Sequence, residues 1–165
     1  MLLLVTYLEM LAPPTEPALP VPSVEICLER ECLSPTSYLA LYRAVGESVH
    51  WDQRLRLRCD ELIEILRHEL VSLFVLRRHG EALGLCEYDA RQHPEIELVN
   101  FGVVPSAQGQ GLGRFLMDYS LREIWKSHPQ RIWLHTDTND HVRAMHVYRR
   151  ADFREYLRRM EEFPD

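Results

Sequence analysis

The sequence predicts an α/β fold organised around one mixed sheet, and three observations carry that reading. Segments of alternating apolar residues, the mark of half-buried strands, are interspersed with segments whose apolar residues recur at helical spacing. Three strand-like runs follow one another between residues 71 and 104 with only short polar turns between them, as antiparallel neighbours do. Beyond residue 104, helix and strand patterns alternate, as crossover connections require. A chain of 165 residues suffices for one such domain, burying roughly 70 % of its unfolded surface.

Taken in order, residues 4–10 alternate weakly and are expected to form a strand. Residues 12–22 hold five of the ten prolines and read as an extended connector, so that 1–22 stand apart from a domain over 23–165. "SVEICLER" (23–30) places Val24, Ile26 and Leu28 on one face of a strand. A helix follows, with Ser34 or Ser37 as its cap, Leu39, Leu41, Tyr42 and Val45 as its apolar stripe and Gly46 as its stop. "DELIEILRHEL" (60–70) predicts a second helix capped by Asp60, with Leu62, Ile63, Leu66 and Leu70 inward. Strands are expected at 71–78, 81–90 and 95–104, joined by a turn at His79-Gly80 and a polar turn through Pro94. A helix over about 111–127 turns Phe115, Leu116, Tyr119, Leu121 and Ile124 inward. A strand at 131–138, a helix at 140–151 and a last strand at 153–160 complete the chain, and no internal repeat is visible.

Composition narrows the function classes. Hydrophobic content of 46 % and charged content of 27 % fit a soluble globular protein. A net charge of -6 argues against a general nucleic-acid binder, which needs a basic face, and is compatible with a cationic partner. The four cysteines form no C-x-x-C pair and are expected as free thiols. "MLLLVTYLEML" lacks a basic leader and a cleavage site, carries Glu9, and is too short to span a bilayer, so a cytoplasmic protein without membrane contact is expected.

The most informative stretch is "VVPSAQGQGLGRFLM" (103–117), where three of only seven glycines, Gly109, Gly111 and Gly113, stand at alternate positions. A strand feeding a glycine-rich loop and then a helix aims several backbone N–H groups at one point, a site for phosphate. A P-loop would need Lys-Ser/Thr after the last glycine, where this chain has Arg114. The dinucleotide fingerprint needs G-x-G-x-x-G, and here the glycines run G-x-G-x-G. The pattern that fits is Q-x-x-G-x-G, read as Gln108, Gly111 and Gly113.

That stretch resembles the acyl-CoA binding motif of the GNAT acetyltransferases (GCN5-related N-acetyltransferases), and the element order from about residue 36 to 157 is similar to theirs. "HTDTNDHVRAMHVYRRADF" further resembles a bacterial GNAT branch. The resemblance implies a mostly antiparallel GNAT-like sheet flanked by helices, acetyl-CoA as cosubstrate, and loop amides from Gln108, Gly109, Gln110, Gly111, Leu112, Gly113 and Arg114 gripping its pyrophosphate. It also implies direct transfer to a primary amine in a ternary complex.

Such a transfer needs a proton acceptor for the amine, polarisation of the thioester carbonyl and stabilisation of the departing thiolate. Glu97, eleven residues before Gln108, stands where many GNAT enzymes place a catalytic glutamate. Strict alternation puts it on one face with Val99, Phe101 and Val103, where desolvation would raise its pKa as a base requires; the opposite reading is a solvent-facing strand charge like Glu95. By the resemblance, backbone N–H groups of Phe101, Gly102 and Val103 polarise the carbonyl, and Tyr148 serves the leaving thiolate. A phenol near 10 is a weaker acid than a thiol near 8.5, so a hydrogen bond is expected there rather than full proton transfer.

The sequence departs from the GNAT pattern at His141, where asparagine is common, and at Asp152, where glycine is common; Asn139 is the candidate substitute for the missing pantetheine contact. The eight histidines show no ligand spacing, so no metal is expected. Cys86 reads as a structural thiol. Arg149, Arg150, Arg154, Arg158 and Arg159 form a basic cluster that either holds the 3′-phosphate of coenzyme A or is a solvated face. Between the first two helices, Glu47, His50, Trp51 and Asp52 either cradle a cationic acceptor or close the core. Two other readings stay open: a non-catalytic acyl-CoA sensor, and a binder of a different pyrophosphate nucleotide. A monomer or a homodimer is expected, and "LVTYLEM" is expected to supply an edge strand, within the chain or from a neighbour.

Overall fold

In the computed structural model, which describes residues 1–165, the chain forms β1 (Leu2–Met10), β2 (Ile26–Arg30), α1 (Pro35–Gly46), α2 (Cys59–Arg67), β3 (Val71–Arg78), β4 (Glu81–Asp89) and β5 (Glu95–Val103). It continues with α3 (Leu112–Trp125), β6 (Arg131–Asp137), α4 (Val142–Arg150) and β7 (Arg154–Glu162). The strands build one seven-stranded sheet in the order β2-β3-β4-β5-β6-β1-β7. Every neighbouring pair is antiparallel except β5–β6, which the α3 crossover makes parallel. No helix is long and apolar enough to cross a membrane.

Helices cover both faces. On one, Tyr38, Leu41, Tyr42 and Val45 of α1 and Leu62 and Leu66 of α2 pack on Leu73, Val75 and Leu85. On the other, Leu112, Phe115, Leu116, Leu121 and Ile124 of α3 and Tyr148 of α4 meet Leu8, Ile96, Leu98, Phe101, Ile132 and Leu134. A buried polar knot ties the α1–α2 connection to the sheet. The Tyr38 hydroxyl donates to Glu87 at 2.6 Å, and Arg54, on a 3-10 turn, pairs with the same fully buried carboxylate.

Several local expectations change. Ser34 caps α1, accepting from the Ser37 N–H at 3.2 Å. Gly46 ends that helix without a left-handed turn; a Cβ there would lie 2.5 Å from Trp51. Asp60 does not cap α2, because Glu61 reaches back to the Arg58 N–H at 2.9 Å and starts the helix one residue earlier. Leu70 falls beyond α2 and is exposed, as are Val24, ahead of β2, and the partly covered Tyr119.

Two differences bear on the whole molecule. The first strand is no edge: β1 lies between β6 and β7, pairing with both. Its Val5 and Leu8 are fully buried, whereas the charged sequence of β7 suits the solvent-facing edge. In β5, Asn100 faces Glu87 while Leu98 faces Tyr88, so Val99 is an extra residue, a bulge. The bulge reverses the alternation. Ile96, Leu98 and Phe101 share the α3 face, and Glu97 lies on the opposite face, not with Phe101.

Candidate active site

Beyond Glu97↔Trp133 the β5 and β6 strands no longer pair, so the later half of β5 has a free edge. The chain then makes a 3-10 turn at Pro105–Ala107 and enters the glycine loop. Gly109 and Gly111 both adopt φ of +77°, a left-handed conformation costly for other residues. Gly113 has ordinary helical backbone, and a Cβ there would make an ordinary contact 3.5 Å from the Phe101 ring, so bare backbone is demanded at two of the three positions. The Gln108 N–H bonds the Pro105 carbonyl, and the next amide with an acceptor is Phe115, bonded to Gly111. The six amides from Gly109 to Arg114 have no acceptor in the chain, and they sit at the positive end of α3.

Five of these six residues, all but Gln110, line a cleft of about 300 Å³. Phe101, Gly102 and Val103 form its strand wall, and Gln108, Gly109, Gly111, Leu112, Gly113 and Arg114 form the loop wall. A Cβ on Gly102 would sit 2.5 Å from Val45, so the missing side chain lets α1 approach β5. Gln110 is not part of the cleft: it accepts from Arg78 at 2.6 Å and donates to the Ser106 carbonyl, which turns its side chain away. Asn139 is absent too; its amide nitrogen approaches Met1 Sδ at 3.5 Å and it borders a second cleft.

The far wall is α4. Tyr148 is buried, its ring 5.8 Å from that of Phe101 and 6.2 Å from that of Phe153. Burial pushes its phenol well above 10, the Asp140 charge adds to the rise, and no hydrogen bond within the chain engages the hydroxyl. His141 caps α4, accepting the Arg143 N–H at 3.1 Å. Arg143, His146 and Arg150 also line the cleft, and Arg143 Nη1 lies 3.3 Å from where a Cβ on Gly109 would be. Sequence reasoning missed Arg143 and His146, although the spacing of Arg143, Val147 and Arg150 marks one helix face. The suspected arginine cluster divides: only Arg150 lines the cleft, while Arg158 and Arg159 pair with Glu155 and Glu161 on β7. Three arginines against the single carboxylate of Asp140 make the cleft locally basic in an acidic chain.

Glu97 lines neither cleft. Its half-buried carboxylate lies 3.9 Å from His135 Nε2, and burial raises its pKa above the usual 4.5, partly offset by that histidine. The second cleft, about 360 Å³, is bordered by Tyr42, His50, Trp51, Asp52, Asp137 and Asp140 among others. Glu47 is exposed and borders neither. The Trp51 ring lies 5.3 Å from that of Tyr42, tilted by 41°, and Trp51, with Val49 and Asp140, borders both clefts. Cys86 is fully buried, its thiol pushed up to about 12 by burial. No group of three or more His, Cys, Asp or Glu is arranged to hold a metal ion.

Residues 36–153 match the sequence profile of the acetyltransferase (GNAT) family. No curated protein matches the chain. Among solved structures, a GCN5-related N-acetyltransferase from Sphaerobacter thermophilus superposes with a TM-score of 0.69 at 17 % identity, over 95 % of this chain and 50 % of its own. The chain thus spans about half the length of that protein. The ribosomal-protein-S18-alanine N-acetyltransferase of Escherichia coli gives 0.65 at 19 % identity, covering 80 % of this chain and 79 % of its own. An aminoglycoside acetyltransferase from an uncultured soil metagenomic sample gives 0.61 at 16 %, covering 77 % and 87 %.

Proposed function

The chain belongs to the acetyltransferase (GNAT) family, and from that premise we propose that it binds acetyl-CoA in the first cleft and passes the acetyl group directly to a primary amine. The observation that carries this reading is a run of six amides without acceptors, five of them on residues that line a cleft also walled by Arg114, Arg143 and Arg150. Converging N–H groups and guanidinium charge are what a pyrophosphate requires.

Acetyl-CoA supplies an activated thioester when bound. On the free edge of β5 the N–H groups of Phe101 and Val103 point away from β4 and meet the carbonyl oxygen as negative charge develops on it, while the Gly102 N–H, on the alternate side, is turned to β4. Tyr148 donates a hydrogen bond to the departing sulfur. Its raised pKa makes complete proton transfer to a thiolate unfavourable by more than the roughly 2 kcal/mol that separates an ordinary phenol from a thiol. The two clefts meet at Val49, Trp51 and Asp140, so acceptor and donor can be held together without a covalent acyl-enzyme. The buried, weakly acidic Cys86 is unsuited to carry an acyl group.

Calorimetric titration with acetyl-CoA, with ATP and NADH as controls, tests the reading. Selective binding of acetyl-CoA, followed by thiol release in the presence of an amine, supports it. A folded protein that ignores acetyl-CoA overturns it, and selective ATP or NADH binding reassigns the cradle to another pyrophosphate.

A further inference from the structure

Asp140 is the one ionisable side chain that borders both clefts. It stands between β6 and α4, where one carboxylate oxygen is already engaged: Oδ2 accepts from the Thr136 hydroxyl and from the Asp137 N–H. Oδ1 has no partner within the chain and is free to accept from a bound molecule. Its charge reaches the Tyr148 phenol across the first cleft and the Asp137 carboxyl beside the second. Glu97 has no such position.

The second cleft has a distinct chemistry. Arg56 is paired with Asp52, and the Met1 ammonium with Asp165, which leaves Asp137 and Asp140 without a cationic partner. Burial, with the neighbouring Asp140 charge, raises the Asp137 pKa, partly offset by the Asn139 N–H that Oδ1 accepts and by His135, so a cation seated there would relieve an existing repulsion. Tyr42 and Trp51 supply an aromatic wall beside the two acids, suited to the stem and charge of an alkylammonium.

We propose that Asp140 accepts the proton of the attacking amine and that the second cleft seats this amine, an aliphatic chain whose further positive charge is held by Asp137. The inference rests on the acetyl-transfer reading above. The reacting nitrogen arrives neutral, and its lone pair forms the C–N bond to the acetyl carbonyl carbon. Its proton passes to Asp140 Oδ1, and the C–S bond breaks with the electron pair leaving on sulfur under the hydrogen bond from Tyr148. The proton on Asp140 then neutralises the thiolate, so the products are an amide and a free thiol, with the carboxylate restored.

The experiment uses spermidine as the probe, titrated into the full chain saturated with coenzyme A, with thiol release from acetyl-CoA measured in parallel. Spermidine is expected to bind, and Asp137→Asn is expected to weaken it at least 10-fold. Asp140→Asn, which can still accept from Thr136, is expected to lower kcat about 100-fold while leaving acetyl-CoA affinity within 2-fold. Glu97→Gln is expected to keep kcat within 3-fold. Absence of spermidine binding while acetyl-CoA binds, equal binding by wild type and Asp137→Asn, or a large kcat loss in Glu97→Gln with none in Asp140→Asn overturns the inference. Failure to bind acetyl-CoA at all is a different result, and removes the transfer reading on which it rests.

Discussion

A methyl group at Gly111 would meet nothing within 4 Å, so the cost of Gly111→Ala is conformational: φ of +77° penalises any residue with a Cβ. The loss is expected at about 1–2 kcal/mol, a Tm drop of several degrees, with acetyl-CoA affinity lowered as the amides lose alignment. Gly113→Ala should do the opposite to stability, raising it by up to about 1 kcal/mol, because its backbone is helical and the new methyl group fits beside Phe101. Thermal melts of the pair separate the two glycines, and equal destabilisation would contradict the backbone assignment. Glu97 makes a pH prediction. Its folded pKa is raised, so the native state binds more protons than the unfolded chain just above pH 4.5, and stability falls as pH rises through that window. Glu97→Gln should therefore raise Tm modestly near neutrality and leave it unchanged below about pH 4, since the side chain is 28 % exposed and water screens much of the effect.

At the scale of elements, the 3-10 turn carrying Arg54 is fastened to β4 through Glu87, and this fastening holds Trp51 and that wall of the second cleft in place. Arg54→Ala would strand a fully buried carboxylate and is expected to cost about 3–5 kcal/mol. Replacing the whole knot, as Arg54→Met and Glu87→Leu with Tyr38→Phe so that no buried hydroxyl is stranded, should recover most of that loss, a pattern that chemical denaturation would reveal. Helices and strands were legible in the sequence because their apolar periods differ, and the Q-x-x-G-x-G stretch located the loop of unpaired amides ahead of α3 because a left-handed backbone leaves a glycine signature. The bulge at Val99 was not legible, since no glycine or proline marks it, and one unmarked residue was enough to turn Glu97 to the wrong face. Asp140 escaped notice for a related reason. Its position comes from two clefts meeting in space, and no local spacing reports that.

For the whole molecule, the placement of β1 decides how the sheet closes. An apolar N-terminal run suggested a strand, but alternation says nothing about which partners a strand takes, and the interior position between β6 and β7 depends on pairings far apart in sequence. Removing residues 1–10 would detach β7 from the sheet as well as strip Val5, Leu8 and Met10 from the core. The shortened chain is expected to lose its cooperative melt and to be cleaved by protease within residues 154–162. An unchanged Tm would show that β7 finds another neighbour.

The same arrangement sets a timetable for synthesis. The first strand leaves the ribosome some 120 residues before its nearer partner begins at Arg131, and until then both of its edges and its apolar face are open to solvent. Closing contacts of such long sequence separation is slow, so the nascent chain carries an adhesive strand throughout elongation. Native closure of the sheet becomes a late event that waits for the final strand, and the burden of keeping the early segment out of foreign sheets falls on the translating cell.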